Sequence, residues 1–122
     1  MPPVDSWRVL ILEDEPIIGL ALEDMLESLG VNVVMHADTL SEAREIVETG
    51  ELDWAVLDVN IHGEQSYPVA DRLHALGTPF IFATGYGDTQ HPHQHLNIPT
   101  LIKPYSLSDL RSVIQQFGSV GA

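Results

Sequence analysis

The sequence predicts an α/β fold, with a parallel sheet of five strands covered by helices on both faces in three layers. Along the 122 residues, short runs that are apolar at nearly every position alternate with longer segments of helical periodicity. Uniformly apolar strands are typical of parallel sheets that are buried on both faces. Glycines follow three of the helical segments, at the position where helices commonly end. Together these observations indicate a doubly wound (βα)5 arrangement.

The first strand and helix are marked by a change of hydrophobic period. Residues 8–12 form a β-branched and apolar run that predicts a strand. Pro16 suits the first turn of a helix over 16–28, and Gly30 stands where that helix would end. The predicted core-facing stripe of this helix consists of Ile18, Ala21, Leu22, Met25 and Leu29. The next unit is predicted as a strand over 31–35 and a helix over 41–49.

The second half of the chain continues the alternation, with one interruption. Strands are predicted over 54–58, 79–84 and 100–103, and helices over 67–76 and 106–117. Ser106 is the expected N-cap of the last helix. Residues 85–97 contain two glycines, a proline and three histidines, with little apolar periodicity. The fourth helix, expected in this segment, is therefore predicted to be short or disordered.

Composition narrows the classes of function. Eighteen acidic and five basic side chains leave a net charge of −13, so binding to nucleic acid or to an anionic membrane surface is not expected. The absence of cysteine excludes disulfides, thiolate metal sites and cysteine nucleophiles. Neither a signal peptide nor an apolar run long enough for a membrane helix is present. We expect one cytoplasmic domain over residues 1–122, with its core at about 7–118.

Chemically reactive side chains stand where four of the predicted strands end. They are Glu13 and Asp14, Asp58, Thr84, and Lys103. Ligands of such sheets bind beyond the carboxyl ends of the strands, so we expect these side chains on one rim. Three crowded carboxylates favour a hard cation with oxygen ligands, such as Mg²⁺. An ammonium and a hydroxyl beside them suit the transfer of a phosphoryl group, and a carboxylate can accept it.

Each of these residues also has an ordinary explanation. Asp58 alone is typical of an acid at the turn after a strand, and Lys103 alone is typical of a solvated lysine. The acids at 13–15 complement the positive end of a helix dipole. Their joint occurrence at four strand ends is what favours a functional site.

Three segments carry a resemblance to a known family. They are Val9-Leu10-Ile11-Leu12-Glu13-Asp14-Glu15, Val56-Leu57-Asp58-Val59-Asn60 and Ile102-Lys103-Pro104-Tyr105. In these segments, and over about residues 8–117, the chain resembles the receiver domains of two-component response regulators. The resemblance implies a flavodoxin-like fold with strand order 2-1-3-4-5. Because few residues follow the last predicted helix, we expect a single receiver domain without an output domain.

The resemblance also implies roles in phosphoryl transfer. Asp58 would be the phosphoryl acceptor, and Thr84 the hydroxyl residue that contacts the phosphoryl group. Lys103 would be the invariant lysine, whose peptide bond to Pro104 is usually cis.

A metal site is implied beside the acceptor. Glu13, Asp14 and Asp58 would hold the ion, with Asp14 as a direct ligand. Asn60 would contribute its backbone carbonyl. The expected ion is Mg²⁺, for which Mn²⁺ or Ca²⁺ can substitute.

Two departures from the usual receiver pattern concern the switch. Most receivers have an aromatic residue three positions before the lysine, where this chain has Thr100. The run 82–86, Phe-Ala-Thr-Gly-Tyr, resembles a receiver subgroup that is often linked to unusual sensor histidine kinases. Because Thr100 is too small for the packing role, we expect Tyr86 to take over part of it. The predicted switch residues are Thr84, Tyr86 and Thr100.

Two further groups of residues have competing interpretations. Ile17 and Leu20 lie opposite the core stripe of the first helix and, with Pro104 and Tyr105, are predicted to form a docking patch for a kinase. The alternative is ordinary surface exposure. The alternating histidines in 91–95 resemble a metal chelate but lack a fourth ligand, so a polar loop is the preferred interpretation.

The leading hypothesis is a stand-alone switch, not an enzyme. It would accept a phosphoryl group from a sensor histidine kinase or a histidine phosphotransfer protein and signal by protein contact or phosphorelay. One alternative is a phosphate sink that competes for the kinase, and another is a degenerate receiver used as a scaffold. A phosphatase of the haloacid-dehalogenase type is disfavoured, because that family usually has a second acid where this chain has Asn60.

Overall fold

The computed structural model describes residues 4–85, 95 and 97–115. Among these residues, five strands form one parallel sheet, and we number them β1 to β5 along the chain. They are Arg8–Leu12 (β1), Val33–Ala37 (β2), Trp54–Asp58 (β3), Phe80–Thr84 (β4) and Thr100–Ile102 (β5). Their spatial order is β2-β1-β3-β4-β5, which confirms the predicted topology.

In the part of the chain that the structure describes, four α-helices flank the sheet. They are Pro16–Ser28 (α1), Leu40–Thr49 (α2), Tyr67–Leu76 (α3) and Leu107–Gln115 (α4), and a 3-10 turn at Val4–Ser6 precedes β1. Within the described residues, no helix combines the length and the hydropathy needed to cross a membrane.

Two hydrophobic clusters occupy the two faces of the sheet. Because strand side chains alternate between faces, Val9 and Ile11 pack with α1 and α4, whereas Leu10 and Leu12 pack with α2 and α3. The central strands β3 and β4 are buried at every position. These two clusters confirm the three-layer, doubly wound architecture that uniformly apolar strands predict.

The second strand begins two residues later than predicted. Val31 closes α1 instead of opening β2: its N–H donates to the Leu26 carbonyl (3.0 Å), and the Gly30 N–H donates to the Glu27 carbonyl (3.0 Å). These are the two bonds of a Schellman motif, and the positive φ of Gly30 (99°) fits it. Val31 and Leu26 are both buried in the core. The predicted core stripe of α1 was wrong in omitting Leu26 and in including Ala21, which is exposed.

The remaining helix boundaries that lie within the described residues agree with the prediction to within a few residues. Ser106 caps α4 as predicted, because the Asp109 N–H donates to Ser106 Oγ (3.1 Å) and the Ser106 N–H donates to Asp109 Oδ2 (2.9 Å). The prediction for a short or disordered fourth helix in 85–97 lies largely outside the described residues and stays a prediction.

A short antiparallel hairpin between β3 and α3 was not predicted. Asn60–Ile61 pairs with Glu64–Gln65, which leaves His62 and Gly63 as a two-residue turn. The buried side chain of Ile61 belongs to the cluster on the α2 and α3 face. The hairpin is thereby anchored at the rim where the parallel strands end.

Candidate functional site

The register of the sheet brings the predicted site residues to one rim. Asp58 is paired with Ala83, and Thr84 with Ile102. Backbone bonds continue one residue beyond the strands, since the Glu13 N–H donates to the Ala37 carbonyl (3.0 Å) and the Lys103 N–H donates to the Thr84 carbonyl (2.8 Å). The four strand ends are therefore aligned by main-chain hydrogen bonds.

Three carboxylates meet at this rim. Glu13, Asp14 and Asp58 each offer an oxygen that lies within 4.8 Å of the other two. Glu13 and Asp58 are only 2% and 7% exposed, whereas Asp14 is half-buried. Like charges this close and this poorly hydrated repel one another strongly, so the cluster requires compensating positive charge.

Lys103 supplies part of that charge. Its Nζ donates to Glu13 Oε1 (2.6 Å) and to Asp58 Oδ2 (3.0 Å). The peptide bond from Lys103 to Pro104 is cis, as the resemblance implied. One ammonium thus bridges two of the three acids.

The protonation of this cluster follows from burial and from its partners. Burial raises the pKa of Glu13 to about 7, with the Asp58 charge acting in the same direction and the Lys103 hydrogen bond opposing both. Burial acts to lower the pKa of Lys103, but its bonds to Glu13 and Asp58 outweigh it and raise the pKa. Burial also raises the pKa of Tyr105 to about 12. The ammonium therefore stays charged while Glu13 titrates near neutrality.

The donor set fits a hard divalent cation. Three carboxylates against one ammonium leave excess negative charge, and all the donors are oxygens, which Mg²⁺ prefers. A cleft of ≈ 230 Å³ opens beside them, lined by Asp14, Glu15, Asp58, Asn60, Thr84, Gly85 and Lys103. The cleft has room for an ion with water ligands and a phosphoryl group.

Backbone and side-chain contacts orient the acids. The Glu15 N–H donates to Glu13 Oε2 (3.1 Å), and the Asn60 N–H donates to Asp58 Oδ1 (3.3 Å). His36 Nε2 donates to the Glu13 carbonyl oxygen (3.0 Å). The His36 ring lies over Gly19, where an added Cβ would come within 2.2 Å of its Cε1. Sequence reasoning missed His36, because its partner is 23 residues away.

The hairpin contributes a contact that was also missed. The His62 N–H donates to Asp14 Oδ2 (2.9 Å), whereas the exposed imidazole Nδ1 lies 3.8 Å from the same oxygen. The available signal was the His62-Gly63 dipeptide, because an X-Gly pair between two short extended segments is typical of a hairpin turn.

The predicted switch residues are only partly described. Thr84 is buried and lines the cleft. Thr100 is half-buried on β5, where it pairs with Phe82. Tyr86 lies outside the described residues, so its role stays a prediction.

The polar-loop interpretation is wrong for His95. Its side chain is fully buried among the rings of Tyr67, Phe80 and Phe82. Its Nε2 lies 2.7 Å from Asp71 Oδ1 on α3. A histidine can be buried where aromatic faces and one carboxylate meet its ring. His91 and His93 lie outside the described residues.

The predicted docking residues are divided between a groove and the open surface. Ile17 (84% exposed), Pro104 and Tyr105 border a largely apolar groove of ≈ 500 Å³ between α1 and the segment after β5. Tyr105 is half-buried and packs against the core. Leu20 is 59% exposed but does not line this groove.

This chain is similar in sequence and in structure to known proteins. The family model of the response regulator receiver domain matches residues 9–115 of the sequence. A solution structure of SdrG from Sphingomonas melonis Fr1 is 40% identical, with a TM-score of 0.80, over 90% of this chain and 94% of that one. A BeF3-activated conformation of SdrG, from Pseudomonas melonis Fr1, is 37% identical, with a TM-score of 0.78, over 96% and 98%.

A longer regulator and a more distant structure extend the comparison. Phyllosphere-induced regulator PhyR of Methylorubrum extorquens is 33% identical over 115 residues, which are 91% of this chain and 43% of PhyR. The chain spans about half the length of the curated relatives it matches. The receiver domain of the Pseudomonas aeruginosa sensor histidine kinase PA1611, with magnesium in its active-site cleft, has a TM-score of 0.78 over 95% of this chain and 98% of that one. At 21% identity this last similarity concerns the fold alone.

Proposed function

This chain belongs to the family of response regulator receiver domains, which are phosphorylation-dependent switches, and we propose that Asp58 is the residue that receives the phosphoryl group. The observation that carries the proposal is the position of its carboxylate. Asp58 lies at the end of a central strand, 3.0 Å from the Lys103 ammonium and beside two further acids. Its carboxylate accepts a hydrogen bond from the Lys103 ammonium and lines the cleft that Thr84 also borders.

The proposed reaction is a displacement at phosphorus. An oxygen of Asp58 attacks the phosphoryl group of a phosphohistidine, the P–N bond breaks, and the histidine nitrogen leaves with the electron pair. The product on this chain is an aspartyl phosphate. Because Asp58 itself is modified in the reaction, the chain acts as a substrate of its kinase. It also assists its own phosphorylation through the residues that surround Asp58.

The surrounding residues stabilise charge on the transferred group. Lys103 already lies at the carboxylate, so a small movement of Nζ would bring it to a phosphoryl oxygen. The Thr84 hydroxyl borders the same cleft and would donate to another oxygen. Mg²⁺ bound at Glu13, Asp14, Asp58 and the Asn60 carbonyl would neutralise further charge in the transition state.

The phosphoryl donor would dock at the groove beside the rim. Ile17, Pro104 and Tyr105 border it, and Lys103 connects it to the acid cluster. A helix of a sensor histidine kinase or a histidine phosphotransfer protein would bring its phosphohistidine over Asp58 from this side. The net charge of −13 favours a donor with a basic rim. Such partners imply a cytoplasmic location.

The test replaces the acceptor. Acetyl phosphate and Mg²⁺ should add one phosphoryl mass to the wild type and none to Asp58→Asn, because the amide is a poor nucleophile. Asp24→Asn, at an exposed acid on α1, should be phosphorylated normally. Phosphorylation of folded Asp58→Asn at the wild-type rate would refute the assignment. A phosphate sink would share this site and would differ only in lacking a partner specific to the phosphorylated form.

A further inference from the structure

The hairpin after Asp58 has the geometry of a tight and well-supported turn. The two turn residues, His62 and Gly63, have φ values of 50° and 83°. Positive φ at both central residues is the mark of a type I′ turn, the two-residue turn that matches the twist of a hairpin. The Gly63 N–H donates to Asn60 Oδ1 (3.0 Å). The buried side chain of Ile61 holds the base of the hairpin against the core.

This turn directs one main-chain donor at the acid cluster. The His62 N–H lies 2.9 Å from Asp14 Oδ2, across 48 residues of sequence. The His62 imidazole is largely exposed, so the contact depends on the backbone conformation of the turn. A carboxylate has about four acceptor positions on its two oxygens. Asp14 can therefore accept from the turn and still have acceptor positions left for a metal ion.

We propose that the His62-Gly63 turn is a positioning element for the metal site. It fixes the Asp14 carboxylate, which lies between β1 and α1, relative to Asp58 at the end of β3 and to Asn60 in the hairpin. The inference rests on the proposed function and deepens it by assigning the organisation of the site to the hairpin. Hydrogen bonds to ligating carboxylates typically change metal affinity by about 10–100-fold when they are lost.

A substitution at Gly63 can disturb this turn without a steric clash. A Cβ added at Gly63 would meet no atom within 4 Å, so a substitution acts through φ alone. Gly77, at the end of α3, has a similar φ (75°) and equally open surroundings. Gly77 lies outside the acid cluster and its cleft. Gly63→Val and Gly77→Val therefore impose similar backbone strain, one beside the metal site and one away from it.

The experiment is a titration of each folded variant with MgCl₂, followed by calorimetry and by amide chemical shifts. Gly63→Val should raise the Kd for Mg²⁺ about tenfold, with the milder Gly63→Ala shifting it in the same direction. Gly63→Asn should bind like the wild type, because Asn tolerates positive φ. Gly77→Val should also bind like the wild type while losing stability.

Three outcomes would overturn the inference. They are an unchanged Kd in both Gly63→Val and Gly63→Ala, an equal loss in Gly77→Val, or a failure of Gly63→Asn to restore binding. If neither Gly63 variant folds, amide exchange of the wild type decides: the His62 amide should be protected, and Asp14→Ala should abolish that protection. Wild-type protein that binds no Mg²⁺ would instead refute the proposed function.

Discussion

At the scale of single residues, Lys103 is the group that links two of the acids in the site. It is the one lysine of the chain, and its ammonium bridges Glu13 and Asp58. Two short hydrogen bonds to poorly hydrated carboxylates explain why its pKa is raised in spite of its burial. Its charge therefore balances the acids at rest and remains available to a phosphoryl group.

Replacing Lys103 separates these two contributions. Lys103→Ala should slow phosphorylation by acetyl phosphate by about 100-fold, because one donor to the developing charge is lost. Binding of Mg²⁺ should be no weaker, since the acids lose a competing cation. Arg111→Ala, at an exposed cation on α4, is the control and should behave like the wild type. Wild-type phosphorylation rates in Lys103→Ala, measured by intact mass, would contradict the role given to the ammonium.

The pKa of Glu13 predicts a pH dependence of stability. Its value rises from about 4.5 to about 7 on folding, so between these values the folded state binds the extra proton. The free energy of unfolding must then fall as the pH rises through this window, by roughly 3 kcal/mol in total. Below about pH 4.5 the contribution is complete, and above about pH 7 it is lost.

Denaturant unfolding of the wild type and Glu13→Gln, both in EDTA, measures this contribution. The difference between their free energies of unfolding should change by roughly 3 kcal/mol between pH 4.5 and 7. Mg²⁺ should reduce the effect, because it favours the ionised carboxylate. A difference that stays constant across this range would show that the carboxyl group is not shifted on folding.

At the scale of secondary-structure elements, α1 joins the site to a surface. Its N-terminal turn follows the acidic pair, its buried face contributes Leu22 and Leu26 to the core, and Ile17 faces solvent beside the groove. A helix that borders both the acceptor and an apolar groove is well placed to hold a phosphoryl donor. A small-molecule phosphoryl donor such as acetyl phosphate needs no docking surface and can enter the cleft directly.

This difference gives a test of docking. Ile17→Ser should reduce phosphotransfer from the cognate kinase at least severalfold, and leave phosphorylation by acetyl phosphate unchanged. Leu76→Ser is the matched control, because Leu76 is also an exposed apolar residue but lies on α3, across the sheet. Equal phosphotransfer to Ile17→Ser and to the wild type, or an equal loss in Leu76→Ser, would argue against the groove.

At the scale of the whole molecule, the sheet could be predicted because its strands are strongly marked. Runs such as 54–58 and 80–84 are apolar and end in polar residues, so their bounds coincide with changes of residue type. The rim followed from the strand ends. The start of β2 was predicted two residues too early, at Val31. An apolar residue at this position can belong to the C-terminal cap of a helix as readily as to the start of a strand.

The features that were missed depend on contacts between distant parts of the chain. Strands of two residues, such as Asn60–Ile61, have no periodicity to detect. The turn acts on Asp14, which is 48 residues away from His62. His95 stands in a polar stretch, and its burial depends on Asp71 and on three aromatic rings from α3 and β4. The dipeptide His62-Gly63 could have indicated the turn, but the pairing of His62 with Asp14 and of His95 with Asp71 follows from the folded topology and leaves no local pattern.

The central claim is that the fold assembles an acceptor at Asp58, and the most direct test locates the phosphoryl group chemically. Wild-type protein is phosphorylated with acetyl phosphate and Mg²⁺ and then reduced with borodeuteride, which converts an aspartyl phosphate to deuterated homoserine. Peptide mass spectrometry should find that homoserine at position 58, and samples prepared with EDTA should contain none. Homoserine at another acid, or a phosphoryl group that resists reduction because it is carried by a histidine or a hydroxyl, would contradict the account.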